Sequence, residues 1–281
     1  MSFVLIGALA VAGLFASEGC VIELGETNAR RDGGGDAPEE GDAGRETGPD
    51  SAFDASAGCK GFTSTDSNLV GYYPFDDTDG VSVADCSGKG NHGVASSPLS
   101  HEAGHFGTAA SLDGNTCIDL GNPALFAFQS GKFTIAAWIH PRAFDSNSNP
   151  TIFFSRLSAS NPSTGFSAGF HAPHSFQFSS YTATGLLNQA EAIVRDEDLG
   201  LPMIHVVGLY GGSHQEVFIQ GQPRHDNNSI TPIVEITDAH VWVGCRTPGI
   251  QNFDGMIDEL RIYSRELALD EVPRLFVQTK P

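Results

Sequence analysis

From Leu69 onward the chain is built of short runs of β-branched and aromatic residues, each stopped by Gly, Asn, Asp, Ser or Pro. This punctuation constrains the fold more than any other feature. The clearest runs are Leu69–Phe75, Phe133–His140, Thr151–Arg156, Gly165–His171, Ser175–Tyr181, Met203–Tyr210, Glu216–Gln220, His240–Gly244 and Met256–Tyr263. They recur roughly every ten to twenty residues, and no amphipathic helical pattern of about twelve residues or more lies between them. That rhythm excludes alternating strand–helix units and predicts an all-β, two-sheet antiparallel jelly-roll sandwich. Two short helices are expected. One is Pro123–Phe128. The other begins near Asp270, whose side chain can cap its first turn, with Val272, Leu275 and Phe276 pinning it to the sandwich.

The segments before the runs have a different texture. Met1 to Ser17 is uncharged and apolar, too short for a comfortable membrane span of about 20 residues, and reads as an export signal. It leads into Ser17-Glu18-Gly19-Cys20, where a small residue followed by cysteine resembles a bacterial lipoprotein signal. Two departures are Ser17 in place of a leucine and the lack of a basic residue before the apolar run. Residues 1–20 are therefore expected to be a signal or lipoprotein segment with Cys20 lipidated, ordinary secretion or an uncleaved anchor being the alternatives. Residues 21–58 read as a disordered acidic linker: Val21 to Ala57 holds ten acidic and three basic residues. Such a composition cannot bury enough apolar surface to offset its ordering entropy, and its like charges extend it. Residues 59–281 are the folded domain.

The formal net charge of -19 excludes a nucleic-acid partner, whose phosphates this surface would repel. Neutral glycans, cell-surface proteins and divalent cations stay compatible, with membrane contact only through an N-terminal lipid anchor. An outer-membrane or cell-surface lipoprotein, or else a secreted protein, is the expected location. Export permits disulfides. With Cys20 lipidated, Cys59, Cys86, Cys117 and Cys245 remain, and four cysteines allow three connectivities. We expect Cys86–Cys117 and Cys59–Cys245, with free buried thiols as the alternative. Paired-cysteine spacings of the C-x-x-C type, as in structural zinc sites, are absent.

Strand parity sharpens one run. In Phe133 to Ile139, alternate residues Phe133, Ile135, Ala137 and Ile139 share a face, and Trp138 lies on the other with Thr134 and His140. Trp138 is expected to be covered by a loop; otherwise it is presented for binding.

Several segments together resemble a known family. Leu69-Val70-Gly71-Tyr72-Tyr73-Pro74-Phe75-Asp76 is similar to the opening strand of the laminin-G-like, concanavalin A-like lectin/glucanase jelly rolls of bacterial surface proteins. Asp85-Cys86-Ser87-Gly88-Lys89-Gly90-Asn91-His92-Gly93 resembles their D-x-S-G-x-G-N-x-G loop. Ala110–Gly114 with Ile118–Gly121, Phe133–Pro141 and Ile204–Gly208 resemble successive strands. Phe253 to Tyr263 is close to their F-x-G-x-I-D-E-V-R-I-Y signature. The matches run in family order from about Leu69 to Phe276, with Pro202-Met203 standing where a tryptophan is usual. The resemblance implies the fold and leaves the ligand open.

A structural calcium ion is also implied, because many members bind one between the Asp85 loop and the last strand. The residues implicated are Asp85, Asn91 and Asp258, with Ser87 and Glu259 beside them. The loop offers a carboxylate, a hydroxyl and an amide within seven residues, and its glycines let carbonyls converge. Parity places Asp258 with Met256, Leu260 and Ile262, where a carboxylate is costly unless paired or metal-bound. The alternative is that Asp258 bonds arginine or backbone N–H groups and Asp85 only shapes a turn.

Catalysis is the weaker reading. Glu235-Ile236-Thr237-Asp238 begins like a glycosidase strand, but Thr237 stands at its Asp position and no closing Glu follows. Gly165-Phe166-Ser167-Ala168-Gly169 and His101-Glu102-Ala103-Gly104-His105 have the letters of the Ser-hydrolase G-x-S-x-G and zinc-protease H-E-x-x-H motifs. The first, however, opens a β-rich run instead of a strand-to-helix turn, and the second is broken by glycine where the motif needs a helix. His101, His105, His171 and His174 read as surface or loop histidines and His205 as a packed one. A sugar platform could come from Asp145–Asn149 and the Phe176, Phe178, Tyr181 strand, though a shared face sends the two phenylalanines to the core. The expected function is a non-catalytic cell-surface carbohydrate-binding or adhesion module. A protein–protein module and a glycoside hydrolase of the same fold are the alternatives.

Overall fold

The structure, a computed structural model, describes residues 59, 62, 64–76, 80–128, 131–142, 151–158, 164–171, 174–233 and 239–278. The signal segment, Cys20 and the linker 21–58 lie outside these residues.

Among the described residues sixteen strands follow in order: β1 Leu69–Tyr73, β2 Ser82–Val83, β3 Gly93–Ala95, β4 Ser100–Ala103, β5 Thr108–Asp113, β6 Ile118–Asp119, β7 Phe133–Pro141 and β8 Thr151–Leu157. Then come β9 Gly165–His171, β10 Ser175–Tyr181, β11 Leu187–Ile193, β12 Ile204–Tyr210, β13 Gln215–Ile219, β14 Gln222–Asn227, β15 Val241–Val243 and β16 Asp254–Tyr263. One turn of 3-10 helix spans Ala124–Ala127, and two short helices are α1 Asp196–Leu199 and α2 Glu271–Val277.

The strands form two eight-stranded sheets, all of whose neighbours pair antiparallel. The first runs β14-β13-β12-β7-β16-β5-β4, with β1 also paired to β16; the second runs β11-β10-β9-β8-β15-β6-β3-β2. The jelly-roll sandwich expected from the sequence is therefore present. Between the sheets lies one core, in which Phe133, Ile135, Ala137 and Ile139 of β7 meet Phe154, Phe166, Phe176, Phe178 and Val243 of the second sheet. Gly208 is needed opposite Phe178, because a Cβ there would sit 2.4 Å from that ring.

The first sheet is buried on its outer face as well. Leu69, Tyr72, Val207, Leu209, Phe218 and Tyr263 pack there under Val272 and Leu275 of α2 and under Cys59 and Phe62. α2 is pinned by the residues expected. Asp270, however, makes no side-chain cap bond and pairs with Arg274 one turn on.

Two expectations are corrected. The disulfides are Cys59–Cys86 and Cys117–Cys245, with Cα separations of 5.2 and 5.7 Å, not Cys86–Cys117 and Cys59–Cys245. Strand register decides this. β15 pairs with β6 through Trp242↔Asp119 and Val243↔Ile118, which carries Cys245 to Cys117. Cys86 instead donates its N–H to Tyr72 O and joins Cys59 in the outer layer. The face assigned to Asp258 holds for Met256 and fails for Leu260 and Ile262. β16 bulges between Asp258 and Arg261, with Glu259 at φ 52°. Ile257, Leu260 and Ile262 point into the core, and Asp258 turns outward with Met256.

Candidate functional site

The Asp85 loop closes on its own carboxylate. Gly88 and Gly90, at φ 80° and 74°, let the backbone curl back on the aspartate. Asp85 Oδ1 accepts the N–H groups of Tyr72 and Ser87, each at 2.9 Å. Oδ2 accepts the Ser87 hydroxyl at 2.8 Å and the Asn91 N–H at 2.9 Å. Asn91 also donates its side-chain amide to Val70 O and accepts the Tyr73 hydroxyl on its carbonyl. His92 Nδ1 accepts the Asp85 N–H.

The other two acids lie on the outer side of β16. Asp258 Oδ2 accepts the Phe106 N–H at 3.0 Å and Oδ1 the Glu259 N–H at 2.8 Å. Gly104 makes room for it, since a Cβ there would come within 2.5 Å of Asp258 Oδ2. Burial pushes the Asp258 carboxyl up to about 8; the Phe106 N–H opposes the rise and neighbouring Glu259 adds to it. Glu259 accepts the Tyr72 hydroxyl on both oxygens, at 2.9 and 2.8 Å, and the Arg261 guanidinium at 2.7 Å. That guanidinium also lies 4.8 Å over the Tyr72 ring. Burial, then Glu259, raises the Tyr72 phenol well above its usual range.

The implied calcium ion can be tested against this donor set. A carboxylate offers about four lone-pair sites, and those of Asp85 meet four chain donors. Ser87 Oγ is engaged with Asp85 and Lys89, and the oxygens of Asp258 and Glu259 meet N–H, O–H and guanidinium groups. A site for Ca²⁺ needs about six to eight oxygens free to converge. The residues Asp85, Ser87, Asn91, Asp258 and Glu259 do not fit one. Among the described residues no group of three or more His, Cys, Asp or Glu side chains is placed to hold a metal ion. Asp85 and Asp258 instead do what the alternative reading allowed: one shapes a turn, the other receives backbone N–H groups.

The aromatic candidates divide. Phe176 and Phe178 are in the core, and Tyr181 is half-buried. Asp145–Asn149 and Glu235–Asp238 lie outside the described residues. Trp138 is covered, with its ring stacked 3.4 Å from His105 and 5.5 Å from Phe276. His205 packs against the same ring at 5.2 Å, and its Nδ1 meets no partner among the described residues. Burial, with Arg261 and His105 adding, pushes the His205 imidazole down to about 3. His101 lies on β4, His171 ends β9, and His174 follows it.

The second sheet holds the aromatic that the sequence reading passed over. Val241 and Val243 of β15 point into the core, so Trp242 between them faces outward and is half-buried. Its cross-strand partners are Asp119 on β6 and Ser155 on β8; Asp119 in turn pairs with Val94 on β3, which is 57% exposed. His240 stacks on Trp242 at 5.9 Å and 21°. Its Nδ1 lies 2.9 Å from both oxygens of Asp119, and Gly121 N–H holds Oδ1 at 2.7 Å. One outer face thus combines an accessible indole, an exposed aliphatic residue and a held carboxylate with remaining acceptor capacity. That set can stack on the apolar face of a sugar ring and receive its hydroxyl protons. The alternation Val-Trp-Val was the signal available in the sequence.

A family model described as the concanavalin A-like lectin/glucanases superfamily matches residues 112–273. No curated protein matches the chain. The binding domain of Paraclostridial Mosquitocidal Protein 1 superposes with a TM-score of 0.60 at 16% identity, over 74% of this chain and 52% of that one. This chain therefore spans about half the length of that protein. Domain 4 of AbnA, an extracellular arabinanase from Geobacillus stearothermophilus, in complex with arabinotriose, superposes at 0.56 and 19% identity, over 75% and 98%. Trypanosoma rangeli sialidase superposes at 0.58 and 14%, over 78% and 34%. At these identities the likeness establishes the shared fold.

Proposed function

This chain belongs to the concanavalin A-like lectin/glucanase superfamily, and from that premise we propose that it is a non-catalytic carbohydrate-binding module working outside the cell. The observation that carries the reading is the placement of Trp242, half-buried on the outer face of the second sheet beside Asp119 and His240. A pyranose stacks its C–H face on the indole, and its hydroxyls donate to Asp119. Support for a sugar ligand comes also from the arabinanase domain of the same fold, which is complexed with arabinotriose.

Asp258 and Glu259 are buried and hydrogen-bonded to the chain, an arrangement suited to holding structure rather than to attacking a glycosidic bond. The two disulfides are consistent with an extracellular, oxidising location. Lipid on Cys20 and an extended acidic linker over 21–58 would hold the domain away from the membrane as a cell-surface lipoprotein. Among the described residues no helix is long and apolar enough to cross a membrane.

A glycan array followed by calorimetric titration tests this. Trp242→Ala is expected to weaken the best glycan at least about tenfold, about 1.4 kcal/mol, with a stability loss under about 1 kcal/mol. Parent protein that binds cell-surface proteins and no glycan would favour a protein adhesin. Hydrolysis of an array glycan would favour an enzyme.

A further inference from the structure

We infer that this chain carries its own cation in the acid cluster, the guanidinium of Arg261, so that the fold is indifferent to divalent metal. That the sugar site is equally indifferent rests on the glycan-binding reading above.

A bound dication would do two things here: offset the charge of neighbouring acids and satisfy their oxygen lone pairs. The chain does both. Glu259 and Arg261 form an ion pair at 2.7 Å, with side chains 0% and 6% exposed, so the negative charge is matched by a fixed positive one out of water. The Arg261 fork is held in turn by the Tyr72 ring 4.8 Å below it. Tyr72 joins the two acid segments from its opposite ends. Its N–H donates to Asp85 Oδ1 at 2.9 Å, and its hydroxyl reaches both Glu259 oxygens at 2.9 and 2.8 Å. The remaining Asp85 lone pairs take Ser87 N–H, Ser87 Oγ and Asn91 N–H. A metal ion entering the cluster would have to strip these donors from their acceptors and approach a resident positive charge. Buried N–H groups left without acceptors oppose that exchange.

The full chain is melted in EDTA and in millimolar calcium or manganese, and calcium binding is measured by equilibrium dialysis. Melting temperatures that coincide within about 1 °C, with no stoichiometric calcium bound, are the expected result. One calcium ion per chain, or a rise of several degrees reversed by EDTA, overturns the inference. Arg261→Gln removes the charge and should lower the melting temperature by roughly 5–15 °C. Calcium should then restore part of the loss, while Arg261→Lys keeps the parent's indifference. An Arg261→Gln protein equally unstable in EDTA and in calcium would mean that Arg261 only packs and does not stand in for a cation. Dialysis of the parent decides the matter even where this variant does not fold. None of these measurements involves a glycan, so they stand apart from the fate of the glycan reading.

Discussion

The chain has two tryptophans, and the fold places them on the outer faces of opposite sheets, in opposite circumstances. Trp138, on β7, is sealed between His105 and Phe276, over a layer that also buries Asp258. Trp242, on β15, stays half-exposed beside a held carboxylate. The first sheet is covered by α2, Cys59 and Phe62, and its polar groups are spent on one another. At Trp242 the second sheet leaves an aromatic and an acceptor facing outward. A covered face stores stability and an open face can recognise a ligand, so equivalent substitutions should separate the two.

The largest difference is expected in stability. Trp138→Ala removes a fully packed ring and should cost about 3–5 kcal/mol in a denaturant melt. Trp242→Ala should cost under about 1 kcal/mol. Equal losses would erase the distinction. Next in size is Tyr72→Phe, which deletes the hydroxyl that reaches both oxygens of buried Glu259. A loss of about 1–3 kcal/mol is expected by the same melt.

A smaller effect is pH dependence. The folded Asp258 carboxyl, at about 8, lies above its ordinary value of 3.8. The folded state therefore binds the extra proton between these values. The contribution of Asp258 is complete below about 4, declines as pH rises through 8 and is flat above. Asp258→Asn should remove this decline, so the gap between variant and parent melting temperatures should shift in the variant's favour from pH 4 to 8. A gap that is constant with pH would deny the raised value.

Much of this layout was legible in the sequence. The spacing of β-rich runs and the ordered motifs gave two stacked sheets, and period-two alternation placed Phe133, Ile135, Ala137 and Ile139 inward and Trp138 under cover. Non-local pairing was not legible. The disulfides follow from β6 lying beside β15, a register that no local pattern encodes. The bulge at Glu259 put Leu260 and Ile262 on the face opposite Asp258, because one residue in the left-handed region shifts every later side chain. β11 and β14 escaped notice since Gln222-Pro223-Arg224-His225-Asp226-Asn227 is polar, with a proline, as edge strands tolerate. Trp242 was readable from the Val-Trp-Val alternation, which sends the two valines inward and the indole outward.

The most direct measurement uses Trp138→Phe, which leaves Trp242 as the sole indole. Acrylamide quenching of its emission is followed with and without the tightest array glycan. The account predicts strong quenching in the free protein and marked protection at saturation. Quenching unchanged by a bound glycan would place the ligand elsewhere and contradict it.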